Sequence, residues 1–267
     1  MESLFTVAEP ATPGPAAFDP TLLATGPWRS DAQHGGPPAA LLARMIETVE
    51  APTERVARLS VELLKPVPLA RLTTNVERTS VSRRVAHASA SLAAEGVVVA
   101  TATALLLATA ELPEPGWRPE QIDRSPDDAA SVVAPTWASG DATAFHRDAV
   151  DHRFIEGDFS APGSAIEWIR LRQPLVAGEE PSPLCRVAAA ADIASGISAV
   201  YGAESGVGLI NADLTISLHR SLVGEWVGID AVTEVGSDGI GLCTNRLFDV
   251  DGTIGTATQS LIGWRTA

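Results

Sequence analysis

Apolar and polar residues alternate along two long stretches of the chain, and each stretch follows a segment with helical periodicity. The first helical segment reads QHGGPPAALLARMIETVEAP and the second reads SPLCRVAAAADIASGISAV. Helix-compatible residues cover nearly every face of the second segment, and apolar residues continue to Val49 in the first. Each segment also carries a proline that suits the first helical turn. The pattern predicts helices near 37–49 and 183–200, each followed by β-strands.

The strands that follow the two helices form an internal repeat. Alternation and β-branched residues predict four long strands within 55–109 and four more within 210–264. When Lys65-Pro66 is placed over Arg220-Ser221, RLSVELLK aligns with DLTISLHR. The predicted fold class is therefore α+β, with two tandem repeats that each consist of a central helix wrapped by a curled antiparallel sheet.

The repeat also gives the predicted domain boundaries. One repeat occupies residues 1–109 and the other occupies 141–267, and a proline-rich linker without periodicity joins them at 110–140. Hairpin turns at Glu95-Gly96 and Asp251-Gly252 occupy matching positions in the two repeats. Further strands are predicted at 3–8, 21–24, 144–157 and 164–173.

One acidic residue, Asp192, lies in the middle of the second helical segment. An ionised carboxylate that leaves water costs free energy unless it is paired, hydrogen-bonded or neutralised. No lysine or arginine lies three or four residues away to pair with it on the same helix. Two interpretations follow: residues distant in sequence satisfy a structural Asp192, or the chain uses the carboxylate in its function.

Composition excludes several classes of protein. The 267-residue chain has a net charge of −14, which argues against a nucleic-acid-binding protein. Its two cysteines form neither a disulfide framework nor a metal-ligand motif. Its N-terminus resembles no secretory signal, and its longest apolar runs are too short to span a bilayer. We therefore expect a cytoplasmic protein that does not associate with membranes.

Positive charge is nevertheless concentrated in one segment, 55–84, which has seven basic and two acidic residues, a net charge of +5. Two interpretations remain open for this segment. It forms the solvated face of a sheet, or its arginines, Arg83 and Arg84 among them, bind a small polyanion such as the phosphates of coenzyme A.

A second candidate binding element is the turn His34-Gly35-Gly36 that precedes the first predicted helix. Paired glycines allow a ligand to approach the backbone closely, and the N-terminus of a helix favours developing negative charge. The alternative is a plain tight turn in which His34 only packs.

The chain resembles the acyl-CoA thioesterase II type of double hot-dog protein and its thioesterase-like relatives. Five sequence features carry the resemblance: HGGPPAALLARM, LLKP, the helix Asp192, DLTISLHRSLVGEW, and DGTIGTATQSL with its glutamine. The resemblance implies that an Asp on the second helix, a Thr or Ser on the next strand and a Gln on the last strand activate water. These positions are Asp192, Asn211 and Gln259, so Asn211 departs from the family pattern.

The resemblance implies hydrolysis of acyl-CoA thioesters by a water that Asp192 deprotonates, without a metal or other cofactor. Coenzyme A would enter only as part of the substrate, with His34, Gly35, Gly36, Arg83 and Arg84 as its binding residues. The expected partner is a small-molecule acyl-CoA. Self-association into a homo-oligomer is also expected, because association can cover the edge strands of curled sheets.

Three alternatives remain open from the sequence. The chain binds acyl-CoA or another acyl group without catalysis, it acts on a carrier-protein thioester, or it hydrates enoyl thioesters. Hydration would need an Asp and a His close together. Asp213 and His219 share one face of a strand, but strand rise separates them by about 20 Å.

Overall fold

The computed structural model describes residues 2–8, 16–117, 125–135 and 143–265. It contains three α-helices: α1 (Gly36–Glu47), α2 (Pro183–Ala191) and α3 (Ala194–Ile197). The strands are β1 (Phe5–Ala8), β2 (Ala17–Pro20), β3 (Glu54–Leu63), β4 (Leu72–Ser80), β5 (Val85–Ala94), β6 (Val97–Ala108), β7 (Ala130–Val132), β8 (Val150–Glu156), β9 (Ala165–Leu171), β10 (Val207–Asn211), β11 (Asp213–Leu218), β12 (Val227–Val235), β13 (Ile240–Asp249) and β14 (Gly252–Arg265).

The strands join in one sheet, in the order β1-β2-β4-β5-β6-β3-β11-β14-β13-β12-β9-β8-β7, with β10 also paired to β14. Every pair of neighbouring strands is antiparallel. Strands β3 and β11 meet at the middle, where Asp213 pairs with Glu62 and Ser217 pairs with Arg58. The first long stretch of alternation therefore continues into the second without a gap in the sheet.

The helices bury one face of this sheet. Helix α1 packs on β3, β4, β5 and β6, while α2 packs on β9, β11 and β12, and α3 packs on β12 and β13. Most residues of α1 and nearly all of α2 are buried, which agrees with their apolar periodicity. Among the helices in the described part of the chain, none is both long and apolar enough to cross a membrane.

The first predicted helix is confirmed almost to its ends, but the prediction of one continuous helix at 183–200 is wrong. Helix α2 ends at Ala191, Asp192 is its C-cap, and α3 begins two residues later. Between them the chain tightens, because the Ile193 N–H donates to the carbonyl of Ala190 rather than to that of Ala189. Asp192 therefore lies at a break between two helices.

Three other predictions need correction. Residues 21–24 do not form a strand, because Thr21 accepts a hydrogen bond from the Leu23 N–H and caps a 3-10 turn at Leu22–Ala24. The strand predicted at 144–157 begins only at Val150, after a π-helical turn at Phe145–Ala149. The linker contains the short strand β7, and its residues 118–124 and 136–140 lie outside the described residues.

Candidate active site

Helices α1 and α2 pack so closely that their contact leaves no room for side chains at two positions. A Cβ added to Gly36 would lie 2.6 Å from the Ala189 carbonyl oxygen, and one added to Gly35 would lie 2.7 Å from both carboxylate oxygens of Asp192. At the other end of α1, the Ser182 hydroxyl donates to Glu47 at 2.6 Å. The helices are therefore antiparallel, and the N-terminus of α1 lies beside Asp192.

Both oxygens of the Asp192 carboxylate have partners from distant parts of the chain. The Asn211 amide Nδ2 donates to Oδ1 at 2.8 Å, and the imidazole Nδ1 of His34 lies 2.8 Å from Oδ2. Asp192 is only 5% exposed, so these partners replace nearly all of its contact with water. The structure thus brings together three of the residues that the sequence selected: Asp192, Asn211 and His34.

Gln259 supports this group through the backbone. Its Nε2 donates to the main-chain carbonyl of Asp192 at 3.1 Å, and its Oε1 accepts from the Ser195 N–H at 3.1 Å. The side chain is fully buried on β14. Gln259 therefore holds together the break between α2 and α3 and positions Asp192 without touching its carboxylate.

His34 lies between the carboxylate and two rings from the π-helical turn. Its ring centroid is 5.0 Å from that of Phe145 and 6.2 Å from that of His146. Phe145 also packs against Gly36, where an added Cβ would come within 3.0 Å of its ring. The turn at Phe145–Ala149 therefore helps to fix the orientation of the His34 ring.

A second ion-paired histidine lies behind this turn. His152 Nδ1 is 2.6 Å from Glu167 Oε1, and its Nε2 is 2.5 Å from the main-chain oxygen of His146. Burial lowers the pKa of His152, but the charge of Glu167 and the hydrogen bond to it outweigh burial and raise that pKa. Among the residues that the structure describes, no three His, Cys, Asp or Glu side chains come together to hold a metal ion.

His146 should make the protein less stable in mild acid. Burial, followed by the charge of His34, lowers the pKa of His146 to about 4. In the unfolded chain His146 therefore binds a proton below pH ~6.5, whereas in the folded chain it does so only when the pH falls to about 4. Stability that is fully present above pH ~6.5 is lost as the pH falls through this window, by about 3 kcal/mol in all.

The matched variant is His146→Gln, whose amide can still donate to the Pro135 carbonyl that lies 3.0 Å from His146 Nε2. We expect urea unfolding to show a smaller loss of stability for this variant than for wild type between pH 6.5 and pH 4. Since the raised pKa of His152 acts in the opposite direction and is common to both proteins, it cancels in the difference. Equal losses would show that His146 does not carry the effect.

The structure does not bring Arg83 and Arg84 to this group. Both are exposed in the turn between β4 and β5, and the Arg84 carbonyl accepts a hydrogen bond from Ala108, which pairs with Glu54. Asn211 lies near the other end of β3, beyond the pairing of Asp213 with Glu62. The two ends of β3 are about 30 Å apart along the strand by its rise per residue.

Ion pairs also reduce the charge of the basic segment at 55–84. Arg71 forms an ion pair with Asp19 at 2.8 Å, and Arg78 forms one with Glu54 at 2.8 Å. Across the described ranges, Arg83 and Arg84 form no such pair, so both guanidinium groups remain open to a ligand.

Sequence reasoning missed the contact between His34 and Asp192, although it selected both residues. The sequence analysis considered only Asp213 and His219 as the Asp and His of a hydratase. The Asp and His that lie close together are Asp192 and His34, which are 158 positions apart in the sequence. Neither His152 nor Glu167 was recognised, even though both occupy buried positions of their strands, where the neighbouring buried positions are apolar. A polar residue at an inward position of an alternating strand is the signal that could have found them.

Comparison with protein-family models gives two matches. Residues 24–107 match a model described as an acyl-CoA thioesterase N-terminal domain, and residues 119–262 match one described as an acyl-CoA thioesterase C-terminal domain. Among curated proteins no match was found.

Solved structures with the same fold are similar along most of their length. A conserved hot-dog protein of unknown function from Alicyclobacillus acidocaldarius is 16% identical, with a TM-score of 0.74 over 98% of this chain and 96% of its own. The acyl-CoA thioesterase II TesB2 from Mycobacterium marinum is 15% identical, with a TM-score of 0.67 over 88% and 91%. The dehydratase domain from the CurK module of curacin polyketide synthase is 12% identical, with a TM-score of 0.54 over 99% and 96%. These similarities identify the fold of this chain as a hot-dog fold.

Proposed function

We propose that this chain, which belongs to the acyl-CoA thioesterase family, hydrolyses an acyl-CoA thioester at the group around Asp192. The observation that carries the proposal is the buried carboxylate of Asp192, held by Asn211 and His34 at 2.8 Å each. Release of free thiol from acyl-CoA by the purified protein tests it.

Each residue of the group has a role in the proposed reaction. The carboxylate of Asp192 supports removal of a proton from the attacking water. The Asn211 amide donates to this carboxylate through Nδ2, which leaves its carbonyl oxygen able to accept a hydrogen bond from the water. Gln259 keeps the helix break in place, and backbone N–H groups at the start of α1 stabilise the thioester oxyanion.

The two family matches and the order of the sheet also support a duplicated architecture. One helix packs on β3 to β6, and the other helices pack on strands from β9 to β13. The strand order is mirrored about the contact of β3 with β11, since β6 and β5 lie on one side and β14 and β13 on the other. We propose tandem hot-dog repeats at 1–109 and 141–267 on this basis, with each sheet curled around its helix.

Arg83 and Arg84 stay candidates for binding the coenzyme A phosphates, although they lie far from Asp192 along β3. If they bind these phosphates, changing both to alanine should raise the Kd for acyl-CoA by roughly three- to tenfold, since exposed charge pairs contribute up to about 1 kcal/mol each. The effect should diminish at high salt because salt screens exposed charges.

Isothermal titration at low and high salt measures this effect. Arg246→Ala is the control, since Arg246 is paired with Asp230 on β12 and lies outside the 55–84 segment. Equal affinity of the double variant and wild type at low salt would assign Arg83 and Arg84 to a solvated face of the sheet.

A second candidate function is the reversible hydration of a 2-enoyl thioester. The contact between His34 Nδ1 and Asp192 Oδ2 favours it, because hydration requires an acid and a base that share one site. Loss of the enoyl absorbance of a 2-enoyl-CoA without release of free thiol would identify hydration. Release of thiol would identify hydrolysis.

A further inference from the structure

The orientation of the His34 ring determines which of its nitrogens faces a ligand. Nδ1 lies 2.8 Å from Asp192 Oδ2, and an ionised carboxylate can only accept a hydrogen bond. In the neutral imidazole, Nδ1 therefore carries the proton whenever Asp192 is ionised, and Nε2 presents a lone pair. The Gly36 N–H also points at Nδ1, as a donor 3.1 Å away. When Nδ1 carries the proton that Asp192 accepts, this N–H loses its acceptor and becomes one of the unsatisfied donors of the first turn of α1.

Asp192 and His34 differ in how accessible their basic atoms are to water. Both oxygens of Asp192 already have partners, and the side chain is 3% exposed. The His34 side chain is 10% exposed, and within the described ranges its Nε2 forms no hydrogen bond. Of the two groups, only His34 combines access to solvent with a nitrogen that lacks a partner.

We infer that His34 Nε2 is the atom that takes the proton from water, and that Asp192 acts through His34 as a positioning residue. This inference rests on the proposed hydrolysis and names its catalytic base. A general base works when its basic atom can reach the proton, and an orienting carboxylate fixes its tautomer and stabilises the imidazolium that forms.

The proton and electron balance of the step is complete within the site. Nε2 takes one proton from water while the water oxygen forms a bond to the thioester carbonyl carbon. The resulting tetrahedral intermediate breaks its carbon–sulfur bond, and the thiolate leaves with the bonding electrons. The imidazolium then returns its proton to the sulfur, so that a carboxylic acid and a free thiol are released and neutral His34 is restored.

The chain offers a variant that separates this role from simple support of Asp192. In His34→Asn the amide NH2 can replace Nδ1–H as donor to Asp192, but no atom replaces Nε2. We expect kcat/KM for the best acyl-CoA substrate to fall by roughly 10²- to 10⁴-fold in this variant. In His34→Ala we expect a similar loss, with partial recovery when imidazole is added. His87→Asn, at an exposed position on β5, is the matched control and should keep wild-type activity.

The outcomes distinguish the inference from the proposed function. If wild type is active and folded His34→Asn keeps activity within tenfold of it, His34 only supports Asp192 and the inference fails alone. A loss in His34→Ala that imidazole does not recover would equally contradict Nε2 as the base. If wild type releases no thiol from any acyl-CoA, the proposed function fails and the inference fails with it.

Discussion

Asp192→Asn should leave a folded protein that hydrolyses acyl-CoA roughly 10²- to 10⁴-fold more slowly than wild type. The amide has nearly the same shape as the carboxylate, but it replaces one acceptor with a donor. When that donor faces His34, the imidazole must accept through Nδ1, and its proton moves to Nε2. The variant therefore loses the negative charge and presents the wrong tautomer to water.

Melting temperature and thiol release should be measured on the same preparation of Asp192→Asn. A folded variant with little activity supports a catalytic or positioning role for Asp192. An active variant with an altered melting temperature would instead assign Asp192 a structural role. Gln259→Ala is expected to reduce turnover less, because Gln259 contacts only the backbone of the helix break.

Gly35→Ala should reduce activity far more than stability. The added Cβ would lie 2.7 Å from both oxygens of Asp192, so the carboxylate must move away from Asn211 and His34. The group that moves is the end of a side chain rather than backbone, so we expect a smaller loss of stability than in Gly36→Ala. Part of that loss comes from the weakened hydrogen bonds of the buried carboxylate. Displacement of a reacting group by about 1 Å can lower the rate by about 10²-fold, and we expect a loss of that order.

Gly36→Ala is the matched comparison, because its Cβ would meet the backbone carbonyl of Ala189 at 2.6 Å. Relieving that contact requires α1 and α2 to separate, so we expect a loss of about 1–3 kcal/mol in the free energy of unfolding. Denaturant unfolding and kcat/KM should be compared for both variants. A Gly35→Ala protein with wild-type activity would show that the position of the Asp192 carboxylate does not determine the rate.

Regular periodicity allowed much of the fold to be predicted from the sequence. Helix α1 and strands β3 to β6 lie close to the predicted ranges because alternation and the prolines at the helix start act locally. The break at Asp192 was missed because it depends on Gln259, which is 67 residues away and bonds to the backbone. Short-range patterns contain no information about such a contact.

The residues of the candidate site could be selected from the sequence, but the contacts between them could not. A lone acid in an apolar helix drew attention to Asp192, and the paired glycines drew attention to residues 34–36. The sequence suggested that Gly35 lets a ligand approach the backbone closely. In the structure the space beside Gly35 is occupied instead by the carboxylate of Asp192. The pairing of His34 with Asp192 depends on the packing of α1 against α2, which the sequence did not reveal.

The most direct test of the account is release of free thiol by the wild-type protein from a series of acyl-CoA substrates of increasing chain length. The account predicts turnover of at least one of them, with Asp192→Asn slower by roughly 10²-fold or more on that same substrate. If no acyl-CoA releases thiol while acyl-CoA still raises the melting temperature, the chain binds these molecules without hydrolysing them, and the account is contradicted.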